Sequence, residues 1–240
     1  MAIVRQTLVY NGPGGPFEGV IAYEDEITTM RPGVLVVPNI RGQKEADTLK
    51  AEALAKLGYV GFACDLFGQG KRTTHESADM AVYMNELNAD RMLLRDRLQA
   101  SLDTLKGFDR VDPSKTAAIG FCFGGKCVLD MARAGLDTLG GVSFHGVYDR
   151  PDYANTVPIK PKLLVCHGWD DPLGPPDAVI ALGKELTEGG ADWQIHAYGN
   201  AGHAFTDLSA KGSTRPGVAY EERADRRSWE AMKDFLAELF

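Results

Sequence analysis

One cysteine of this chain lies in a sequence context that favours a chemical role. The segment 120–125 reads Gly-Phe-Cys-Phe-Gly-Gly and lies between an apolar run at 116–119 and a helix-like segment. Glycines on both sides permit a tight turn that lifts the central side chain out of a sheet, which is the pattern of a nucleophile elbow. A thiol there becomes a nucleophile once a neighbouring base takes its proton. The sequence therefore predicts covalent catalysis by Cys122.

A base and an acid follow other predicted strands later in the chain. His203 follows one strand, and the pair Asp170 and Asp171 follows another. An imidazole takes the thiol proton and returns it to a leaving group, while a carboxylate on its far nitrogen orients the ring. We favour Asp171 over Asp170, because Pro172 follows it directly and promotes an extended bend toward His203. The order nucleophile, acid, histidine is that of the α/β-hydrolase fold.

The negative charge that develops on the attacked oxygen needs two backbone donors. One is predicted at Phe123, directly after the nucleophile and at the start of a helix whose dipole favours an anion. The other is predicted in the loop 39–42 after the third strand, where we select the amide of Ile40. Both donors are backbone groups, so only their place in the chain identifies them.

The elements that must position these groups follow from the hydrophobic pattern. Strands are predicted at 3–10, 17–23, 33–37, 59–64, 116–119, 140–144, 162–166 and 193–198. Helices are predicted at 45–57, 76–105 with a break near Asn88, 176–188 and 220–240. This alternation implies one α/β domain over residues 1–240, with a mostly parallel central sheet, an N-terminal antiparallel hairpin and helices on both faces. Reactive groups gather at the carboxyl ends of the strands in such sheets.

Composition narrows the function classes. The 240 residues carry a formal net charge of −7, which argues against nucleic acid or an anionic membrane surface as a partner. No apolar run approaches the length of a membrane span, and no signal peptide is visible. The four cysteines lack metal-ligand spacing, so we expect no metal, no cofactor and a reducing, cytoplasmic location. A monomer or a homodimer acting on a small molecule is the expected state.

These motifs together resemble the dienelactone hydrolase family, from about Gly33 to the C-terminus. The elbow is similar to the family's G-x-C-x-G-G, and the segments 167–172 and 201–205 are similar to its acid and histidine segments. The segment 65–68 is similar to the one that follows its fourth strand. The resemblance implies Cys122 as nucleophile, His203 as base and Asp171 as acid. It also implies cleavage of carboxylic esters or lactones through an acyl-thioenzyme.

Two positions depart from the family's pattern. Asn39 stands where the founding enzymes place a glutamate that keeps the resting thiol neutral, and Asp207 lies where they carry an arginine for a substrate carboxylate. We therefore expect a neutral or aromatic ester rather than dienelactone itself. Asn39, Phe67 and Trp169 are the predicted substrate-binding residues. Tetrahedral phosphotriesters are an expected side activity, since thiolate attack and oxyanion stabilisation do not require a carbonyl.

The same residues also allow other interpretations. A glycine-rich turn also binds phosphate, but 120–125 lacks the spacing of nucleotide-binding loops. Asp171 before a proline can be a turn former, and His203 alone can be structural; only the three-part order favours catalysis. His145 and His167 are interpreted as structural, and His145 is also a candidate for the wall of the pocket. The second function class is a redox-sensing or binding protein on a hydrolase scaffold, with Cys122 as the responsive thiol.

Overall fold

The computed structural model describes residues 2–240, which form eight strands, six α-helices and one short 3-10 helix at Leu208–Ala210. The strands are β1 Ile3–Tyr10, β2 Phe17–Glu24, β3 Arg31–Val37, β4 Val60–Ala63, β5 Val111–Phe121, β6 Gly140–Phe144, β7 Lys162–Gly168 and β8 Trp193–Tyr198. The helices are α1 Glu45–Ala55, α2 Val82–Ala89, α3 Arg91–Lys106, α4 Phe123–Arg133, α5 Pro176–Glu188 and α6 Glu222–Leu239. None of the helices within 2–240 combines the length and apolar character needed to cross a bilayer.

The strands form one sheet in the order β1-β2-β4-β3-β5-β6-β7-β8. The opening hairpin is antiparallel and pairs Ile3 with Glu24 and Tyr10 with Phe17, while β3 pairs with β4 and β6 with β7 in parallel. Parallel neighbours require crossover connections, which the intervening helices provide. The predicted fold class, an α/β-hydrolase fold with an N-terminal hairpin, is confirmed.

The contacts between residues group the chain into two compact units. The first runs to Ile119 and includes Leu136–Thr138, and the second comprises Gly120–Gly135 and Leu139–Phe240. The prediction of a single domain over 1–240 stays a prediction. All three predicted catalytic side chains belong to the second unit.

The first unit is held at the turn after β4 by a fully buried carboxylate. Asp65 accepts hydrogen bonds from the backbone of Phe67 at 2.9 Å and of Glu18 at 3.1 Å, and from the side chain of Arg72 at 3.1 Å. The hydroxyl of Tyr10 accepts from the Asp65 amide at 2.9 Å. Because a buried carboxylate is costly without partners, these bonds fix the turn.

The second unit brings the ends of its parallel strands to one edge. Its core packs α4 and α5 against β7 through buried apolar side chains, namely Leu129, Ala132, Leu163, Val165, Leu182 and Leu186. β6, β7 and β8 run parallel, so the residues that follow them share an edge of the sheet. The carbonyl of Phe144 at the end of β6 accepts from the amide of Cys122 at 3.0 Å, which brings the elbow to the same edge.

The helix predicted from residue 76 instead begins at Val82. Before it, side chains hydrogen-bond the local backbone: Ser77 accepts from the Thr74 amide at 2.8 Å, and Asp79 accepts from the Ala81 amide at 2.9 Å. Such bonds compete with helix formation. The break predicted near Asn88 falls at Asp90, whose side chain caps α3 by accepting from the amide of Leu93 at 2.8 Å.

Candidate active site

Cys122 occupies a strained turn between β5 and α4. Its backbone has φ 56° and ψ −115°, a region that residues with a side chain rarely adopt and that costs about 1–3 kcal/mol. A Cβ added at Gly120 would lie 2.1 Å from the carbonyl oxygen of Gly124, so only glycine fits there. The turn therefore forms the elbow expected from the sequence, and the Cys122 side chain retains partial solvent exposure.

His203 and Asp171 meet in a buried hydrogen bond. The Nδ1 of His203 donates to Oδ2 of Asp171 at 2.8 Å, and the second carboxylate oxygen accepts from the amide of Leu173 at the same distance. Asp171 is 2% exposed and His203 is 4% exposed. Asp170 is exposed, and its amide donates to the carbonyl of Ala201. The structure thus places Asp171, rather than its neighbour, against the imidazole.

The environment of His203 favours its protonated form. Burial by itself lowers the pKa of His203, but the hydrogen bond to Asp171 and the interaction with Cys122 outweigh it and raise the pKa to about 10. The Nε2 of His203 is buried and has no well-formed hydrogen-bond partner in the described residues, although the Cys122 thiol is close enough to interact with the imidazole. An imidazolium in this place is a proton donor for a leaving group.

The backbone on both sides of His203 is fixed by the segment that follows it. The His203 amide donates to the carbonyl of Gly217 at 2.7 Å, and the His203 carbonyl accepts from Ala219 at 3.1 Å. Gly217 has φ 68°, and an added Cβ would lie 2.7 Å from Pro172. The histidine loop, the acid turn and this segment are therefore packed as one body, which limits the movement of the His203 ring.

A second histidine at the same edge was interpreted as structural from the sequence, yet it contacts the elbow. His145 is 1% exposed, and its Nδ1 accepts from the amide of Cys122 at 3.1 Å. Its Nε2 lies 2.8 Å from the hydroxyl of Thr206, and its ring packs edge-on against that of His203 with centroids 5.2 Å apart. The position of His145 directly after a buried strand indicates a place at the functional edge of the sheet, whereas no sequence feature indicates a role for Thr206.

Phe123 and Trp169 are the other predicted residues in this unit. Phe123 begins α4, so its amide belongs to the first turn, where N–H groups have no acceptor within the helix. Its ring is 1% exposed, so the amide rather than the side chain carries its predicted role. Trp169 is 47% exposed and contacts His167 edge-on, with centroids 6.2 Å apart. An exposed indole beside the acid turn is available to a ligand.

The remaining predicted residues lie in the first unit. Ile40 and Asn39 are half-buried in the loop after β3, where the Asn39 side chain accepts from the amide of Arg41 at 3.0 Å. Phe67 is 1% exposed and packs against Tyr83 with centroids 5.6 Å apart. The oxyanion role of Ile40 and the substrate-binding roles of Asn39 and Phe67 stay predictions.

Cys122 is partly exposed, which distinguishes it from the other three cysteines. Cys64, Cys127 and Cys166 are buried free thiols, and burial raises the pKa of Cys64 and raises that of Cys166 to about 12. Such thiols are poor nucleophiles. Across residues 2–240, no group of three or more histidine, cysteine or acidic side chains is arranged to hold a metal ion.

Comparison with known proteins identifies the family and fold that this chain shares. The model of the dienelactone hydrolase family matches residues 17–240. The chain is similar to the dienelactone hydrolase-like promiscuous phosphotriesterase P91 from metagenomic libraries, with 35% identity, a TM-score of 0.91 and full coverage of both chains. It is also similar to the solved structure of m3DLH, with 35% identity, a TM-score of 0.93 and full coverage of both chains. A Caenorhabditis elegans protein, K02A2.1, is 36% identical over 152 residues, which cover 61% of this chain and 94% of that protein.

Proposed function

Since this chain belongs to the dienelactone hydrolase family and is a hydrolase, we propose that it cleaves carboxylic esters or lactones with a Cys122, His203 and Asp171 triad. The observation that carries the proposal is the buried 2.8 Å hydrogen bond between His203 and Asp171, made beside a cysteine held in an elbow. The raised pKa of His203 supports an imidazole that holds a proton for the leaving group.

The arrangement supports a two-step mechanism. With its proton transferred to His203, the sulfur of Cys122 attacks the carbonyl carbon, and the amide of Phe123 at the start of α4 stabilises the oxyanion. His203 donates its proton to the departing alcohol oxygen as the carbon–oxygen bond breaks, leaving a thioester. Water then attacks the thioester while His203 takes its proton, and the carboxylic acid leaves. Asp171 keeps the imidazole oriented and stabilises its charge in both steps. Ile40 is the proposed second oxyanion donor.

A neutral or aromatic ester is the proposed substrate class. Asp207 brings negative charge to the histidine segment, which disfavours a substrate carboxylate. The exposed indole of Trp169 offers an apolar, aromatic surface beside the acid turn. A neutral aryl ester satisfies both features, whereas dienelactone carries a carboxylate.

Phosphotriester cleavage is the proposed side activity. P91, to which the chain is 35% identical over its full length, is a promiscuous phosphotriesterase by name. The chemistry transfers because a thiolate can attack tetrahedral phosphorus, and the same amide stabilises the developing oxygen charge. The alcohol or phenol leaves with a proton from His203, and the phosphoryl-cysteine that remains requires water attack with His203 as base. A slow or absent second turnover with a phosphotriester would count against this side activity.

The experiment is a substrate panel measured on matched cysteine variants. Neutral aryl esters, lactones, a carboxylate-bearing aryl ester and a phosphotriester are compared for wild type, Cys122→Ala and Cys127→Ala. We expect neutral aryl esters to have the highest kcat/KM, with at least about a 10³-fold loss in Cys122→Ala and a change within about twofold in Cys127→Ala. Full activity of Cys122→Ala would overturn the proposal.

A further inference from the structure

We propose that His145, held by Thr206, is a positioning residue that fixes both the backbone of Cys122 and the ring of His203. This inference rests on the proposed function, because positioning matters only if these two residues react. His145 follows β6, where its own backbone has φ 38° and its amide donates to the carbonyl of Cys166 at 2.8 Å. His145 therefore lies at the sheet edge that carries the elbow, and its backbone position is fixed.

The first contact acts on the nucleophile. The amide of Cys122 is directed at both the carbonyl of Phe144, at 3.0 Å, and the Nδ1 of His145, at 3.1 Å. Because φ is positive at Cys122, the surrounding structure must hold the turn against relaxation. A second acceptor on the same amide restrains the rotation that would carry the thiol away from its attack position.

The second contact sets the tautomer of His145. Its Nδ1 accepts a backbone hydrogen bond, so the ring proton lies on Nε2 and is donated to the hydroxyl of Thr206 at 2.8 Å. Without that acceptor, the opposite tautomer or a flipped ring would be available, and either would remove the acceptor for Cys122. Thr206 thus selects the form of His145 that holds the elbow.

The third contact acts on the base. The ring of His145 packs edge-on against His203 at 5.2 Å and against Phe205 at 5.0 Å. His203 is held at Nδ1 by Asp171, and the neighbouring ring of His145 limits rotation of the His203 ring about that hydrogen bond. One side chain therefore links nucleophile and base.

The test uses the isosteric change Thr206→Val, which replaces the hydroxyl with a methyl group, and its conservative partner Thr206→Ser, which keeps the hydroxyl. For an aryl ester we expect kcat to fall about tenfold in Thr206→Val with KM within about threefold, since one hydrogen bond that orients a reacting group is lost. Thr206→Ser is expected to restore kcat to within about twofold of wild type. Thr187→Val, a threonine change on the exposed face of α5, is the control and should change neither constant.

Two substitutions at His145 separate the effect of its hydrogen bond to Cys122 from the effect of its ring packing against His203. His145→Asn retains an acceptor near the position of Nδ1 but removes the ring, whereas His145→Leu removes both. We expect losses in kcat of about tenfold for His145→Asn and about 100-fold for His145→Leu, because a small misplacement of reacting groups is costly. His196→Asn, a change at a half-buried histidine on the edge strand β8, is the control.

The rate of alkylation of Cys122 by iodoacetamide, read by mass spectrometry, provides a measure that does not require ester turnover. We expect alkylation at neutral pH to slow in Thr206→Val and to recover in Thr206→Ser. Unchanged kcat and unchanged alkylation in folded Thr206→Val would overturn the inference. If wild type lacks esterase activity, the proposed function fails, while the alkylation rates still decide whether Thr206 and His145 position the thiol.

Discussion

Replacement of the acid by an amide, Asp171→Asn, tests the role of the buried carboxylate with little change in shape. The carboxylate accepts from His203 and from the amide of Leu173, both at 2.8 Å. Asparagine can retain the contact with Leu173 through its amide oxygen, but it no longer carries the charge that favours the imidazolium. The neighbouring Asp170→Asn is the matched control, since Asp170 is exposed and its side chain does not contact His203.

The magnitude follows from the pKa of His203. A rise from 6.5 to about 10 favours the imidazolium by about 5 kcal/mol, since each tenfold change in proton affinity corresponds to about 1.4 kcal/mol. The hydrogen bond to Asp171 is the largest of the interactions that raise this pKa, so Asp171→Asn removes a main source of the stabilisation of the imidazolium. Loss of the correct tautomer adds to this and extends the expected decrease in kcat/KM to between about 10² and 10⁴-fold.

The assay measures kcat/KM for a neutral aryl ester from pH 5 to 10, together with the NMR titration of the imidazole of His203. We expect Asp171→Asn to lower both the rate and the pKa of His203, and Asp170→Asn to remain within about twofold of wild type. The reasoning is refuted if Asp171→Asn retains more than half of the activity, or if Asp170→Asn loses as much as Asp171→Asn does.

Three further outcomes concern stability and are read by urea unfolding. Because the pKa of His203 is raised in the folded protein, its contribution to the unfolding free energy is complete below pH 6.5 and is lost as pH rises toward about 10. Wild type should therefore lose more of its unfolding free energy across that window than Asp171→Asn. Parallel curves of unfolding free energy against pH for the two proteins would contradict this. Gly125→Ala places a Cβ 2.8 Å from the hydroxyl of Ser143 and should cost about 1–3 kcal/mol, whereas an unchanged midpoint would argue against the tight packing of the elbow. Arg133→Met removes the guanidinium that pairs with the buried carboxylate of Glu185 at 2.8 Å and should cost about 3–5 kcal/mol, an expectation that a loss below about 1 kcal/mol would refute.

The elements that pack into the core were predictable from the hydrophobic pattern. β6, α5 and β8 have the predicted bounds, because apolar runs and helix-stop glycines mark them clearly. β5 extends back to Val111, beyond the predicted start at residue 116, because its first residues include exposed polar positions with no apolar run to mark them. The turn before Val82 depends on side-chain hydrogen bonds to the backbone, which a helical periodicity does not reveal.

Some features of the candidate site were also predictable from the sequence, and others were not. The glycine pattern predicts a turn at Cys122, and the order of the strand ends predicts that His203 and Asp171 can meet. In the sequence only the following proline favours Asp171 over Asp170, whereas in the structure the Asp171 carboxylate hydrogen-bonds the imidazole. The contact of His145 with the Cys122 amide could not be predicted, because it depends on the register of neighbouring strand ends and on a ring orientation.

The most direct test of the central claim is rapid-quench mass spectrometry of the enzyme during turnover of a neutral aryl ester. The mechanism predicts a mass increase equal to the acyl group, located on the peptide that contains Cys122 and absent from Cys122→Ala. The adduct should persist longer in Asp171→Asn, because water attack on the thioester also needs an oriented His203. Continued turnover in Cys122→Ala, or a wild-type enzyme that turns over ester and forms no acyl adduct on Cys122, would contradict the account.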